Sequence, residues 1–138
     1  MIKVLTLGMV CYATYGTCSE IRMNEDIVHA LKEFYAERDW HQFHSPKNLV
    51  MDLAAETGEL VEIFRWMSED ESRKLDEKTM EAVRGEIADI YKSIVYLAHV
   101  LGIDPVQASS QKLEEMRRKY PADAARGKIL KYSAYEKQ

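Results

Sequence analysis

The chain contains few of the residues that mark disulfide-rich, fibrous or low-complexity proteins. It has 2 cysteines, 6 glycines and 3 prolines in 138 residues. Two cysteines cannot supply a disulfide framework, and so little glycine and proline excludes collagen-like and disordered repeats. A chain of this length buries enough surface to fold without disulfides or a structural metal. We therefore expect one globular domain.

Long apolar runs and an excess of positive charge are also missing. No run of about 18 consecutive apolar residues occurs, so we expect no membrane-spanning helix. Lys and Arg number 19 against 23 Asp and Glu, for a net charge of -4. This balance argues against a nucleic-acid polymer as partner, because such binding depends on clustered cations. Small phosphorylated ligands are not excluded, since a local basic cluster or a bound cation is enough for them.

The first 22 residues differ in composition from the rest of the chain. The opening stretch 1–15 is largely apolar, but Gly8 interrupts it and no clear small-x-small cleavage site follows. We therefore expect a cytoplasmic protein in which Cys11 and Cys18 are free thiols, and a disulfide bridge between them is the alternative. The composition separates an N-terminal extension at residues 1–22 from the rest of the chain.

Apolar residues recur at steps of three and four along most of the chain, which is typical of amphipathic helices. Capping residues mark the predicted helix starts at Asn24, Ser45 and Asp104, and proline follows the last two. The pattern predicts four helices, at residues 24–39, 46–67, 79–101 and 105–119. We expect the charged stretch 68–78 to be a solvated link. The predicted fold class is all-α, with a four-helix bundle-like core.

The helical spacing also predicts which side chains are buried. On the first helix these are Ile27, Leu31 and Phe34, and on the second Leu49, Leu53, Leu60, Ile63 and Met67. On the third helix they are Val83, Ile87, Ile90, Ile94, Leu97 and Leu101. An acid, Glu56, lies within the apolar stripe of the second helix.

Two acidic pairs on the second and third helices indicate a cation site. Glu56 with Glu59, and Glu86 with Asp89, are spaced i, i+3, which places each pair on one helix face. Four carboxylates near one seam repel one another unless a cation lies between them. Oxygen ligands of this kind suit Mg²⁺ or Mn²⁺. A solvated acidic face with no metal is the alternative, and Glu62 forms a similar pair with Glu59.

These residues also resemble a known family. The motif Glu56-x-x-Glu59 followed by Glu86-x-x-Asp89 is similar to that of the MazG-like, all-α nucleoside triphosphate pyrophosphohydrolases. The resemblance to the dCTP pyrophosphatase branch rests on further segments. They are Glu37 to Leu49, Glu56 to Trp66, Lys119-Tyr-Pro, Arg126-Gly and Lys131-Tyr132. Together the matching segments extend from about Asn24 to Tyr132. The resemblance therefore implies a domain at residues 23–132, preceded by the extension at residues 1–22 and followed by a C-terminal tail at residues 133–138.

The resemblance implies an enzyme that hydrolyses (deoxy)nucleoside triphosphates to the monophosphate and pyrophosphate, and so removes unwanted nucleotides. It implies Mg²⁺, with Mn²⁺ as a substitute, held by Glu56, Glu59, Glu86 and Asp89. A metal held in this way can bridge phosphate oxygens and acidify the attacking water. Glu59 is our candidate for the general base. No Ser, Cys or His nucleophile is required.

The same resemblance implies where the substrate binds. The matching substrate-binding positions are Trp40, His44, Asn48, Trp66, Lys112 and Tyr120, and Lys47, Lys92 and Arg117 are weaker candidates. Two residues depart from the family pattern, because relatives tend to carry Asn at position 116 and Tyr at position 93. Here these positions are Met116 and Ser93. We therefore expect activity on dCTP among several dNTPs rather than strict selectivity.

Two alternatives remain open from the sequence. A phosphoribosyl-ATP pyrophosphohydrolase shares the helical design with carboxylates, but it does not explain the segment from Trp40 to His44. A non-catalytic helical module that assembles through apolar seams is the second alternative. Whichever function is correct, the apolar surface exceeds what one slim bundle can bury, so we expect self-association. The resemblance favours a homotetramer over a dimer.

Overall fold

The computed structural model describes residues 22–135. Over this range the chain is helical, and no strand occurs in it. The α-helices are α1 (Arg22–Ala36), α2 (Pro46–Phe64), α3 (Glu69–Ser72), α4 (Glu77–Leu101), α5 (Pro105–Lys119) and α6 (Ala122–Ala125). Two short 3-10 helices span His41–Phe43 and Tyr132–Ala134. The predicted all-α class is therefore confirmed.

Parts of the sequence analysis concern residues outside the described range. Cys11, Cys18 and the extension up to Ile21 are among them, so the free thiols stay a prediction, as do the domain boundaries. Within the described residues, no helix combines the length and the apolar character that crossing a bilayer requires. The cytoplasmic location stays a prediction.

Side-chain caps define the starts of the long helices. Ser45 Oγ accepts the backbone N–H of Asn48 ahead of α2, and Pro46 follows it. Asp104 caps α5 in the same way, and its Oδ1 accepts two backbone N–H groups of the first turn. Helix α4 ends at Gly102, whose φ of 66° is the left-handed conformation that glycine adopts without strain. These boundaries match the sequence prediction closely.

Four helix boundaries differ from the prediction. Helix α2 ends at Phe64 and not at residue 67, and α4 begins at Glu77 and not at residue 79. The other two boundaries are those of α1. Helix α1 begins at Arg22, so Asn24 lies within its first turn and is not the N-cap. It ends at Ala36, before a turn in which Asp39 has a φ of 52°. The charged link contains the short helix α3, because Ser68 and Glu71 form a reciprocal capping box that satisfies free backbone N–H groups.

The core lies between α2 and α4, with α1 packed against α4. Leu49 and Tyr96 are each 3% exposed and form a buried cluster with Tyr35 and Leu97. The partly buried Leu31 packs against this cluster. Two predicted core residues of α1, Ile27 and Phe34, are exposed. The prediction for them was wrong because the face of α1 that enters the core carries Tyr35, and Ile27 and Phe34 lie outside that face.

The apolar stripe of α4 has two edges with different environments. Val83 and Leu97 are buried and Ile90 is half-buried, at seven-residue intervals. The other predicted core residues of this helix, Ile87, Ile94 and Leu101, are also seven residues apart, but they are exposed. Met80, seven residues before Ile87, is exposed too. We call these four residues the exposed α4 stripe. Residues at alternating steps of four and three cover a wide arc, and α1 and α2 cover only one side of it. In the single chain, the predicted burial of Ile87, Ile94 and Leu101 was therefore wrong.

Helix α5 makes few contacts with the other helices. Its apolar side chains Val106, Leu113 and Met116 are exposed. The chain beyond it folds back, because the hydroxyl of the buried Tyr135 accepts the N–H of Leu130 at 3.1 Å. The described chain therefore presents one packed core of α1, α2 and α4, and one helix, α5, that contributes little to it.

Candidate functional site

Three of the four predicted metal ligands form a compact cluster. Glu56 projects from α2, and Glu86 and Asp89 project from α4. One carboxylate oxygen from each lies within 4.8 Å of the other two, and all three side chains are half-buried. Packing of α2 against α4 thus brings Glu56 close to two acids that lie 30 and 33 residues further along the sequence. Such a cluster can hold one hard cation.

The electrostatics of this cluster are unfavourable without a cation. Glu86 Oε2 is buried and has no hydrogen-bond partner among the described residues. Burial raises the pKa of Glu56 above its ordinary value, and repulsion from the carboxylates of Asp89 and Asp52 raises it further. A buried carboxylate oxygen without a partner is costly, so it indicates a ligand that the side chains themselves do not supply. A divalent cation fits both the oxygen donors and this unpaired acceptor.

Lys92 is a cation that contacts this cluster directly. Its Nζ donates to Asp89 Oδ1, one turn away on α4. Partial burial alone lowers the pKa of Lys92, but the hydrogen bond to Asp89 and the charges of Asp89 and Glu56 outweigh burial and raise it. Lys92 therefore stays protonated and offsets part of the negative charge, while Glu86 Oε2 remains without a partner.

The fourth predicted ligand, Glu59, is not part of the three-residue cluster. Its side chain is exposed on α2, three residues after Glu56. This spacing places it on the same helix face, about one turn further along. Its roles as ligand and general base stay predictions.

A cavity of about 580 Å³ adjoins the cluster and contains three of the predicted substrate-binding residues. Trp40, His44 and Asn48 line it, together with Asp52 and Lys92. Phe34, Tyr35 and Phe43 add further aromatic surface. Lys92 therefore lies at the boundary between the aromatic cavity and the acidic cluster. Aromatic walls with a few polar groups are typical of sites that bind a flat ring.

The loop that carries Trp40 is held in place by specific contacts. His44 Nδ1 hydrogen-bonds the carbonyl of Trp40 at 2.6 Å, and its ring stacks on Tyr35 with centroids 3.9 Å apart. Asn48 Nδ2 donates to the carbonyl of Phe43 at 2.9 Å. These contacts give His44 and Asn48 a structural role in addition to their position in the cavity.

A second contact anchors the same loop to α4. His41 Nδ1 and the Tyr96 hydroxyl lie 3.2 Å apart and form a hydrogen bond. The Tyr96 ring also meets Tyr35 edge to face, with centroids 4.8 Å apart. Tyr35 and Tyr96 are both nearly buried. The aromatic wall of the cavity is thus continuous with the protein core.

Three predicted substrate-binding residues lie away from this cavity. Trp66 follows α2 and is 82% exposed, and the guanidinium carbon of Arg65 lies 4.6 Å from its ring centroid. Lys112 Nζ donates to Glu115 Oε2 at 2.7 Å. Tyr120 packs edge to face on Tyr135, with centroids 5.9 Å apart. Within one chain these three are not brought together with Trp40, and their roles stay predictions.

Only one of the three weaker candidates for substrate binding, Lys92, lies at the cavity. Lys92 lines the cavity, whereas Arg117 forms an ion pair with Glu114 on α5. Lys47 is exposed on the first turn of α2 and does not line the cavity.

Asp52 is the main residue that sequence reasoning missed. It lines the cavity, and its Oδ2 accepts a hydrogen bond from the buried Ser93 at 2.7 Å. A signal was available, because Asp52 precedes Glu56 by four residues and so lies on the same helix face. Tyr96 was missed for a different reason: an aromatic residue on an apolar stripe gives no sign of a hydrogen bond to a distant loop.

The sequence and the fold are similar to those of known proteins. A sequence model described as the MazG-like family matches residues 53–133. The dCTP pyrophosphatase 1 proteins of Mus musculus and Homo sapiens are 40% and 39% identical to this chain over 111 residues. Each alignment covers 79% of this chain, which spans 65% of the length of these relatives, slightly less than two thirds.

A solved structure shares the fold. The crystal structure of a pyrophosphatase from Archaeoglobus fulgidus DSM 4304 superimposes with a TM-score of 0.67 at 39% identity. The match covers 70% of this chain and 91% of the other. The family match includes all four acids of the predicted metal site, which lie on α2 and α4. The chain belongs to the MazG-like family.

Proposed function

We propose that this protein hydrolyses (deoxy)nucleoside triphosphates, dCTP among them, to the monophosphate and pyrophosphate. The observation that supports this best is the cluster of Glu56, Glu86 and Asp89, with its unpaired buried oxygen, beside an aromatic cavity. A nucleotide needs both features, because its phosphates bind a cation and its base stacks on rings. The similarity to proteins named dCTP pyrophosphatase agrees with this assignment.

In this proposal Glu56, Glu86 and Asp89 hold Mg²⁺ or Mn²⁺, and Glu59 completes the site. Such an ion, when bound, supplies Lewis-acid stabilisation of phosphate oxygens and lowers the pKa of a bound water. Water adds across the anhydride bond between the α- and β-phosphates, and pyrophosphate leaves. Glu59 takes the proton of the attacking water, which its exposed position on α2 permits.

The nucleoside part binds in the aromatic cavity. The indole of Trp40 is 43% exposed and is free to stack on a base, which contributes about 1–3 kcal/mol per base in proteins that bind single strands. Asn48 offers an amide at the same wall. Lys92, at the boundary with the acids, contacts a phosphate oxygen. Because Met116 and Ser93 stand where relatives tend to carry Asn and Tyr, we expect several dNTPs to be accepted.

We also propose that the active form is a homo-oligomer, a tetramer in preference to a dimer. The exposed α4 stripe is apolar over the length of the helix, with Ile87 54% and Leu101 50% exposed. Burial of apolar area contributes about 25 cal/mol per Å², so a second copy on this stripe is stabilising. Trp66, Lys112 and Tyr120 lie away from the cavity of their own chain, and we place them at the site of a neighbouring copy.

Two other functions are less well supported. The phosphoribosyl-ATP reaction leaves the loop from Trp40 to His44 without a role, although this loop lines the cavity. A non-catalytic assembly module leaves the unpaired oxygen of Glu86 unexplained. Calorimetry with Mg²⁺ and a non-hydrolysable dCTP analogue distinguishes an assembly module from the proposed enzyme, because the module should show no metal-dependent nucleotide binding.

The test is product analysis for all common dNTPs and NTPs, with Mg²⁺, Mn²⁺ or a chelator. Pyrophosphate and orthophosphate are quantified separately. We expect dCMP and pyrophosphate in equal amounts from dCTP, and no turnover with chelator. Release of orthophosphate in place of pyrophosphate, or no metal-dependent turnover of any nucleotide, overturns the proposal.

A further inference from the structure

Helix α2 carries a row of polar side chains that connects the cavity to the acidic cluster. Asn48, Asp52 and Glu56 follow one another at four-residue intervals, so they lie on one face of the helix. Each interval advances about 6 Å along the helix axis, at about 1.5 Å per residue. Asn48 and Asp52 line the cavity, and Glu56 belongs to the acidic cluster.

The carboxylate of Asp52 is held in one orientation by α4. Ser93 is 2% exposed, and its Oγ donates to Asp52 Oδ2 at 2.7 Å. A carboxylate accepts at about four lone-pair positions, and this bond uses one of them. Because Asp52 also lines the cavity, the other positions are available to a hydrogen-bond donor on a ligand there.

The order of groups in a nucleotide matches the order of these side chains. With the phosphates at the cluster of Glu56 and the base beside Trp40 and Asn48, the sugar lies between them, about one helical turn from Glu56. Asp52 occupies that level. The only free hydroxyl on the sugar of a dNTP is the 3′-hydroxyl, and an acidic side chain is well suited to accept from a sugar hydroxyl.

We propose that Asp52 is a specificity-determining residue that accepts a hydrogen bond from the 3′-hydroxyl of the substrate, and that Ser93 is its positioning residue. This inference rests on the proposed function. It also gives Ser93 a role in the site. The sequence alone indicated only that Ser93 lacks the polar contact of the Tyr that relatives tend to carry there.

The test compares dCTP with 2′,3′-dideoxycytidine triphosphate, which differs only by the missing hydroxyl. We expect the wild-type protein to have a kcat/KM at least about tenfold higher for dCTP, the size typical of a hydrogen bond to a charged group. Asp52→Ala should lower kcat/KM for dCTP by a similar factor and change that for the dideoxy substrate by less than about threefold. Ser93→Ala should give a smaller loss, again confined to dCTP.

Asp70→Asn, at an exposed position on α3, is the control and should leave both values unchanged. The wild-type comparison does not depend on whether any variant folds. Equal kcat/KM for the two substrates, or an equal loss with both in Asp52→Ala, overturns the role of Asp52 while the proposed function stands. No pyrophosphate from either substrate overturns the proposed function, and this inference with it.

Discussion

At the scale of single residues, the acidic cluster combines groups whose environments differ. Glu86 is half-buried and its Oε2 is unpaired, Asp89 contacts Lys92, and Glu59 is exposed on the next turn of α2. An exposed carboxylate near the cluster can exchange protons with solvent, which suits a general base. A half-buried carboxylate suits a ligand better, because a cation offsets its desolvation.

Glu59→Gln should therefore abolish turnover and leave the fold intact. The exposed side chain contributes little to stability, whereas its loss removes the base and one candidate ligand. We expect kcat to fall by at least about a hundredfold, as is typical of losing a general base. Initial rates with dCTP and a thermal unfolding curve provide the measurement.

Glu62→Gln is the matched control, because Glu62 is exposed on the same helix and pairs with Arg65. It should keep nearly full activity. Equal activity in the two variants would show that Glu59 has no catalytic role.

Sequence patterns predicted the individual acids but not their grouping. The i, i+3 spacing identified Glu56, Glu59, Glu86 and Asp89 as two pairs, yet only three of the four cluster in the structure. Spacing along one helix fixes which face a residue is on, and the packing of α2 on α4 decides which faces meet. Asp52 was missed because its partner, Ser93, lies 41 residues away on α4.

At the scale of the elements, α2 serves both the core and the site. Its inward face begins with Leu49, which is 3% exposed, and continues to the half-buried Glu56. The caps of α2 and α5 were predictable, because a capping side chain followed by proline is a local signal. The buried face of α1 was not, because it depends on Tyr35 reaching His44 and Tyr96 across the core.

Leu49→Ala should destabilise the protein by about 2–5 kcal/mol, because it leaves a cavity between α1, α2 and α4. Val50→Ala, at the next residue and 52% exposed, should cost much less. Chemical denaturation of both variants measures the difference. Similar free energies of unfolding for the two would show that this core does not carry the stability of the fold.

Helix α5 contains a network that makes stability depend on pH. Hydrogen bonds from Lys112 and Lys119, together with their charges, lower the pKa of Glu115 to about 2 from its ordinary value of 4.5. A lowered pKa in the folded state contributes stability that is fully present above pH 4.5 and is lost as the pH falls through about 2.

Glu115→Gln should therefore lower the melting temperature at pH 7, and the difference from wild type should shrink as the pH falls below 4.5 and disappear only below about 2. Thermal unfolding across this pH range provides the measurement. Glu81→Gln, which removes a single surface ion pair with Arg84, is the control and should show a smaller change. A difference for Glu115→Gln that does not depend on pH would contradict the assigned network.

At the scale of the whole molecule, the described chain leaves many large apolar side chains exposed. The exposed α4 stripe and the apolar residues of α5 lie outside the packed core. Patches of this kind mark interaction surfaces. The sequence predicted the apolar residues, but only the packing of α1 and α2 shows which of them remain available.

Ile94→Asp should disrupt self-association, because it places a charge in the middle of the exposed α4 stripe. We expect wild-type protein to have a mass of about four chains of 16.0 kDa in light scattering. The variant should have a smaller mass. Arg84→Asp, at an exposed position on the same helix, should not change it. A monomeric wild type would contradict the proposed assembly.

The central claim is that Glu56, Glu86 and Asp89 form a cation site, and Mn²⁺ binding to the full chain measures this most directly, through the relaxation of water protons. We predict saturable binding to the wild-type protein and at least tenfold weaker binding to Glu86→Gln, about 1.4 kcal/mol. Glu81→Gln, one and a half turns earlier on α4, should bind like the wild type. Absence of saturable binding, or equal affinity in Glu86→Gln, would contradict the claim.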